Sequence, residues 1–422
     1  MPQFITVNIS NKSEPCIFRY TTSDNKMLNI KADRFDAEIV LHTYNNGEGQ
    51  VIFNKPIRVL GEWAFSYCSS LTSITIPNSV SEIVDRAFSS CNSLTSVTIP
   101  NSITKIGEFA FSHCSSLSSV TIPDSVTSIG EYAFSHCHSL ISVTIPNSVT
   151  KIENDAFYDC RSLISVTIPN SVTKIGYQAF SSCSSLTAFY GKFASADNRC
   201  LIVDGVLNSF APAGLTEYTV PNSVTMIEDC AFYDCSSLTN ITIPNSVTEI
   251  GNSAFSHCSS LISVIIPDSV TEIGSNAFNR CSSLISVIIP NSVTKIGEGA
   301  FSHCSSLISV TVPNSVTEIE NCTFYDCSSL TNVTIPNSVT AIGSKAIYGC
   351  SSLTNITIPN SITEIGYRAF YYCRRLQTII CNPTTPPKLW NEAFIGIPSY
   401  ATIIIPEGCE KAYMNSKWRE VL

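Results

Sequence analysis

Hydrophobic and polar residues alternate in a short pattern that recurs along most of the chain. In residues 71–76 the apolar side chains follow the spacing L-x-x-L-x-L, with threonine or serine between them. A period of two places Ile74 and Ile76 on the inner face of a strand and the polar residues on the outer face. Pro77 follows at once and ends the strand, because proline has no N–H to donate to a sheet.

Two further elements complete the repeat that contains this strand. Residues 80–83 have the composition of a second short strand, and residues 86–91 predict a helical turn that inserts Ala87 and Phe88 into a core. A unit of this size buries too few side chains to offset the entropy of ordering it. We therefore expect neighbouring units to stack and to share backbone hydrogen bonds.

The unit recurs with a period of 23 residues. The sequence I-P-N-S-V-T-x-I-G-x-x-A-F-x-x-C-x-S-L-x-x-V-T is repeated with little drift, and its cysteine marks thirteen turns. These cysteines are Cys68, Cys91, Cys114, Cys137, Cys160, Cys183, Cys235, Cys258, Cys281, Cys304, Cys327, Cys350 and Cys373. The pattern predicts a leucine-rich-repeat solenoid that is mainly β, with parallel strand ladders and short helical turns, shaped as a curved rod with terminal caps.

Both ends of the chain depart from the repeat and predict caps. We expect an N-terminal β-rich cap at residues 1–56, the solenoid at 57–381, and a C-terminal cap of a strand plus a helix at 382–422. The strands expected in the first cap are residues 4–9, 17–20, 39–44 and 51–54, with a turn at 45–47. The C-terminal strand is expected at 402–406.

One turn carries an insertion of 29 residues, at about 187–215. It contains Asp204 and Gly205 between two apolar runs, which is a strong signal for a β-hairpin. Two interpretations are open at this point. The hairpin either elaborates one turn of the solenoid or projects from it as an accessory element for binding or dimerisation.

Charge narrows the choice of partners. The net charge is −9 and no cluster of basic residues is longer than a pair, so neither nucleic acid nor an anionic membrane is an expected partner. No run of 18 apolar residues occurs, and we expect no transmembrane segment. The first residues do not have the basic and apolar segments of a signal peptide.

The cysteines of the repeat predict a column of thiols. Residues at one position of stacked repeats have nearly parallel Cβ vectors, which suits free thiols packed in a core better than disulfides. A bridge among the other six, such as Cys381 to Cys409, stays open. Abundant thiols favour a reducing or anaerobic setting.

Histidine precedes the ladder cysteine in four repeats, and His138 follows one closely. Zinc needs about four converging ligands, whereas adjacent residues here should diverge, with cysteine inward and histidine outward. We therefore expect no metal site and no cofactor. Catalysis is not expected either, since every candidate residue is one of a series and neither a G-x-S-x-G nor a phosphate-binding or dinucleotide-binding motif is present.

The outward side chains of the repeated strand form rows that are a candidate binding face. The face comprises Thr72, Thr75, Thr95, Thr98, Thr121, Thr144, Thr167, Thr242, Ile262, Ile265, Ile285, Ile288, Ile308, Thr311, Thr334 and Thr357, with Asp204 and Gly205 as an accessory hairpin. An exposed apolar patch of isoleucines often marks an interaction surface. The other interpretation is that isoleucine replaces threonine only because both favour strands.

The repeat resembles that of the BspA-like leucine-rich-repeat proteins, over residues 57–381. These are mostly bacterial surface proteins, and the resemblance implies a protein-recognition module or adhesin with host extracellular-matrix or cell-surface proteins as partners. It places the protein at the cell surface or outside the cell. The alternative is a cytoplasmic structural scaffold or self-associating rod. A homo-oligomer is compatible with this alternative.

Overall fold

The computed structural model describes residues 16–422, which belong to two compact units. Of these residues, 16–186 with 190–192 belong to the first unit, and 187–189 with 193–422 belong to the second. The strand expected at residues 4–9 lies outside the described residues. Each unit is a β-solenoid with parallel strand ladders, which confirms the predicted fold class. The curvature stays a prediction.

The first unit is built almost entirely from short strands. Its strands are β1 (Cys16–Thr22), β2 (Ile39–Asn45), β3 (Glu48–Phe53), β4 (Val59–Leu60), β5 (Leu71–Thr75), β6 (Glu82–Ile83), β7 (Ser96–Thr98), β8 (Lys105–Ile106), β9 (Ser119–Thr121), β10 (Ser128–Ile129), β11 (Ser142–Thr144), β12 (Lys151–Ile152), β13 (Ser165–Ile168) and β14 (Lys174–Ile175). A 3-10 turn spans Ala32–Arg34, and β15 (Ala188–Gly191) has residues of both units.

The second unit repeats the same design. Its strands are β16 (Cys200–Val203), β17 (Val206–Phe210), β18 (Glu217–Thr219), β19 (Met226–Ile227), β20 (Asn240–Thr242), β21 (Glu249–Ile250), β22 (Ser263–Ile265), β23 (Glu272–Ile273), β24 (Ser286–Ile288), β25 (Lys295–Ile296), β26 (Ser309–Thr311), β27 (Glu318–Ile319), β28 (Asn332–Thr334), β29 (Ala341–Ile342), β30 (Asn355–Ile358), β31 (Glu364–Ile365), β32 (Thr378–Cys381), β33 (Lys388–Leu389) and β34 (Thr402–Ile404). It ends in a short helix α1 (Glu410–Met414) and a 3-10 turn, Lys417–Glu420.

Every repeat gives one strand to each of two parallel ladders. In the first unit the first ladder consists of β5, β7, β9, β11 and β13. The second ladder consists of β4, β6, β8, β10, β12 and β14. Equivalent residues pair directly, as Ser73 does with Ser96 and Ser96 with Ser119. Strand β1 pairs antiparallel with both β5 and β3. The first ladder therefore continues into the β-rich segment that precedes the repeats.

Identical side chains stack in columns inside each unit. Consecutive phenylalanine rings such as Phe255 and Phe278 lie parallel, with centroids 5.2 Å apart, close to the spacing of neighbouring strands. All nineteen cysteines are free, as predicted for the ladder positions, so the bridge left open between Cys381 and Cys409 is not formed. The Cys281 thiol donates a hydrogen bond to the Phe255 carbonyl at 3.2 Å, and the same contact recurs in most repeats.

The predicted helical turn at residues 86–91 is a series of three tight turns instead. The N–H groups of Ala87, Ser89 and Cys91 donate to carbonyls three residues back, while those of Phe88 and Ser90 donate to the next repeat. Arg86 and Ser90 take left-handed backbone angles, with φ of 59° and 62°. A helix would keep all of these bonds within one segment, and stacking redirects half of them to the neighbour.

The insertion forms the predicted hairpin. Strands β16 and β17 pair antiparallel, and Asp204 and Gly205 make the turn with positive φ angles of 51° and 83°. Strand β17 then pairs in parallel with β19, where Leu207 lies against Ile227. The hairpin thus supplies the second-ladder strand of its own turn.

Candidate functional site

The outward residues of the first ladder lie on an open surface, here called the strand face. Fifteen of the sixteen candidate residues are exposed. Thr72 is half-buried, because its hydroxyl contacts the Thr21 hydroxyl of β1 at 2.6 Å. Alternation explains the pattern, since Val97 and Val120 between the exposed threonines point into the core.

Parallel pairing in register turns these side chains into straight rows. Thr75, Thr98 and Thr121 are direct partners in neighbouring strands of the first unit. The Thr95 hydroxyl donates to the Thr72 carbonyl one repeat earlier at 3.1 Å. Hydroxyls of the row that contains Thr95 thus help to hold the repeats together, as those of Thr239 and Thr331 do in the second unit.

The second unit carries an apolar region on its strand face. Ile262, Ile265, Ile285, Ile288 and Ile308, here called the isoleucine patch, belong to three consecutive repeats and are 44–65% exposed. Ile265 and Ile288 are direct register partners. In the first unit Ile141 and Ile164 occupy the same repeat position as Ile262 and are both 49% exposed, but threonines accompany them.

A polar cluster that the sequence analysis did not predict lies on the turns of the first unit. His136 Nδ1 and His138 Nε2 both lie 2.9 Å from Asp159 Oδ2. Arg161 reaches the same carboxylate, with Nε 2.7 Å from Oδ1 and Nη2 3.2 Å from Oδ2. The His113 ring stacks on that of His136 at 4.3 Å. Histidine does point outward from its buried cysteine neighbour, but residues of two repeats converge on one carboxylate, and His113 of a third repeat packs on His136.

Asp159 is held ionised by these contacts. Its side chain is 7% exposed, and although burial raises its pKa, hydrogen bonds from Arg161, His138 and His136 outweigh burial and hold the pKa below its usual value. A sequence signal for this cluster does exist. The residue after the ladder cysteine is serine in nine of the thirteen repeats, and His138 and Arg161 are two of the four departures.

The buried cysteines are poor nucleophiles. Burial raises the pKa of Cys200 to about 12, although its thiol lies 3.1 Å from the Tyr218 hydroxyl. The thiolate is the reactive form of cysteine, so this thiol stays protonated and unreactive at neutral pH.

In residues 16–422, no helix has both the length and the apolar character to cross a membrane.

Comparison with solved structures finds leucine-rich-repeat proteins of bacteria. A leucine rich cell surface protein from Faecalibacterium prausnitzii A2-165 is 30% identical, with 77% of this chain and 95% of that chain covered and a TM-score of 0.59. A leucine-rich repeat protein from Bacteroides ovatus ATCC 8483 is 28% identical, with 90% and 100% covered and a TM-score of 0.55. The pneumococcal vaccine antigen PcpA, at 19% identity, 87% coverage of both chains and a TM-score of 0.60, shares the fold.

Comparison with families of sequences gives the same answer. No curated protein sequence matches the chain. The family described as BspA type Leucine rich repeat region matches residues 58–187, 207–331 and 318–416 in six copies. Because this match covers most of the chain and agrees with the ladders described above, the chain belongs to the BspA-type leucine-rich-repeat family.

Proposed function

We propose that this protein is a non-catalytic recognition module that binds another protein through its strand face and acts as a surface adhesin. The isoleucine patch is the observation that carries the proposal. Five exposed isoleucines on three consecutive repeats are an unusual concentration of apolar surface on a face otherwise finished with threonine and serine. Contiguous apolar patches of this kind mark interaction surfaces more often than scattered apolar residues do.

The geometry of the patch suits a protein partner. Its side chains are β-branched, and Ile265 and Ile288 stand on paired strands while the other three directly precede strands, so they lose little conformational freedom when a partner covers them. Covering the exposed half of one isoleucine is worth about 1 kcal/mol, so the patch offers several kcal/mol toward association. Family resemblance indicates a host extracellular-matrix or cell-surface protein as the partner, and the Faecalibacterium relative is itself described as a cell surface protein.

The chain offers a matched pair of variants to test the patch. Ile262→Thr with Ile285→Thr removes apolar surface from the patch, while Ile141→Thr with Ile164→Thr makes the same change at the same repeat position in the first unit. Threonine is native at this position in other repeats, for example Thr239, so both variants are expected to fold. Binding to a panel of immobilised extracellular-matrix proteins is measured by surface plasmon resonance.

We expect the patch variant to bind its matrix partner at least about tenfold more weakly and the control variant to bind unchanged. Equal affinities of the two variants would favour the other interpretation, in which isoleucine replaces threonine only because both residues favour strands. Protease accessibility of the protein on intact cells, compared with lysed cells, tests the location. An adhesin is cleaved on intact cells.

A second function is supported by the thiols. All nineteen cysteines are free, and abundant free thiols favour a reducing or anaerobic setting, which would suit a cytoplasmic scaffold or self-associating rod. In that case the isoleucine patch would join copies of this chain. Protection from protease until lysis, together with a dimer in sedimentation that the Ile262→Thr, Ile285→Thr variant abolishes, would support this function over the adhesin.

A further inference from the structure

The polar cluster of the first unit has the composition and convergence of a metal site. The ligand atoms of His136, His138 and Asp159 all lie within 4.8 Å of one another. The two imidazole rings stand perpendicular, at 89°, and direct one nitrogen each to the same carboxylate oxygen. Imidazole and carboxylate are the ligands that zinc and its neighbours in the first transition row prefer.

Two of the three ligands, His136 and Asp159, are positioned by contacts outside the set. The His136 ring is stacked on His113 and lies edge-on to the Tyr158 ring, 5.4 Å away. Asp159 is buried, and the guanidinium of Arg161 donates to its Oδ1. Outer contacts of this kind fix ligand orientation in metal sites. Both histidines approach Asp159 Oδ2, to which Arg161 Nη2 also donates at the longer distance of 3.2 Å, so Oδ2 is the oxygen that an ion would take.

The two histidine–aspartate distances are close to those of a zinc site. Ligand atoms in a tetrahedral zinc site with bonds of about 2.0 Å lie about 3.3 Å apart, against the 2.9 Å from each histidine nitrogen to Asp159 Oδ2. Both histidines and Arg161 are partly exposed, so these side chains can open by a few tenths of an ångström. Arg161 Nη2 would withdraw from Oδ2, while its Nε keeps Oδ1.

A second histidine–aspartate pair of the chain, in another repeat, has no third ligand beside it. His303 and Asp326 occupy the same repeat positions as His136 and Asp159 and are 3.3 Å apart, but Ser305 stands where His138 would be. The Asp326 side chain is also exposed. The left-handed backbone favours histidine and aspartate at these two positions in any case, whereas nothing in the backbone calls for histidine at position 138.

We propose that His136, His138 and Asp159 form a binding site for one divalent transition-metal ion of the zinc class, with the fourth position open to water. The site is independent of the strand face, because none of its residues belongs to the first ladder. It does not use the adjacent cysteines, which point inward as the sequence predicts.

Zinc chloride is titrated into the full chain by calorimetry, with a phosphine reductant that keeps the thiols free. The variants are His138→Ser, which installs the usual residue of the repeat and is expected to fold, and the matched control His303→Ser. We expect one zinc per native chain, a loss of affinity of at least about 10-fold in His138→Ser, and no change in His303→Ser. Thermal unfolding without metal verifies that both variants are folded.

Chemical modification separates this site from zinc held by thiols. Zinc should protect His136 and His138, but not His257, from diethylpyrocarbonate, as read by mass spectrometry. The proposal is overturned if the native chain takes up no zinc, if His138→Ser binds as tightly as the native chain, or if zinc leaves the modification of His136 and His138 unchanged.

Discussion

A residue with left-handed backbone angles precedes almost every ladder cysteine. His136, Asp159 and Gly349, for example, have φ of 57°, 59° and 70°. Histidine, aspartate and asparagine enter this region more readily than most residues, and glycine enters it freely. The backbone therefore selects the residue types at this position, and a histidine found there is by itself no sign of function.

Asp155 lies at a second left-handed position and should make stability depend on pH. Burial raises its pKa to about 6, against the opposing effect of the Tyr132 hydrogen bond, so the folded state favours the protonated acid. Stability is lost as pH rises from the unfolded pKa of about 4 through 6. Asp155→Asn keeps the shape without the charge and should raise the free energy of unfolding by roughly 1–3 kcal/mol at about pH 8.

Denaturation by urea at two pH values measures this effect. The gain from Asp155→Asn should shrink toward zero at about pH 4, where the native acid is also protonated. A gain of the same size at both pH values would mean that the charge of Asp155 is not the cause.

The cysteines should divide sharply by reactivity. Burial raises the pKa of Cys327 and Cys373 to about 12, and both thiols are fully buried, whereas Cys322 and Cys409 are half-buried. We expect iodoacetamide at about pH 8 to label Cys322 and Cys409 in the native protein and to reach the fully buried ladder thiols, such as Cys327 and Cys373, only after denaturation. Mass spectrometry of labelled peptides checks this, and native labelling of Cys327 at the rate of Cys409 would contradict it.

At the level of the element, serine side chains connect one repeat to the next. The Ser315 hydroxyl donates to the Val293 carbonyl at 2.5 Å, and Ser148 does the same to Val126 at 2.6 Å. Serine thus stands at the position where ordinary leucine-rich repeats have asparagine and joins neighbouring turns. The bond is not made everywhere, because the Ser292 hydroxyl is buried with no hydrogen-bond partner.

This difference predicts unequal effects of one substitution. Ser315→Ala removes a made bond and should lower stability by about 1 kcal/mol, while Ser292→Ala removes an unpaired buried hydroxyl and should be neutral or stabilising. Both changes occur at the same repeat position of neighbouring turns. The midpoint of thermal unfolding measures them, and an equal loss in both variants would contradict the assignment.

The strands of the elements were predictable and their turns were not. Alternation identified β5 and its inward Ile74, and proline marked where each strand ends, because both depend on the local chain alone. The prediction of a helical turn at residues 86–91 was wrong, because half of the backbone hydrogen bonds of this segment go to the neighbouring repeat. The polar cluster was missed for the same reason. The repeat period shows which residues stack on one another. It does not show in which direction a left-handed turn points the side chain of His136.

At the scale of the whole molecule, charge and binding should be separable. The chain carries 33 acidic and 24 basic residues, yet the isoleucine patch and its neighbouring serines and threonines are uncharged. Binding through the patch should therefore change less than about threefold between about 0.05 and 0.5 M NaCl, and show a negative heat-capacity change. Calorimetry over temperature and salt measures both, and a steep loss of affinity with salt would point to charged contacts instead.

The direct pairing of equivalent residues has a consequence for the gene. Ser263, Ser286 and Ser309 are successive partners in one ladder. Deleting one repeat of 23 residues between Ser263 and Ser309 would therefore pair these two serines directly, and each would keep neighbours of the same residue types. Recombination between such similar stretches can lengthen or shorten the second unit by whole repeats without breaking a ladder. The number of isoleucine-bearing repeats is then free to vary between strains, and with it the area offered to a partner.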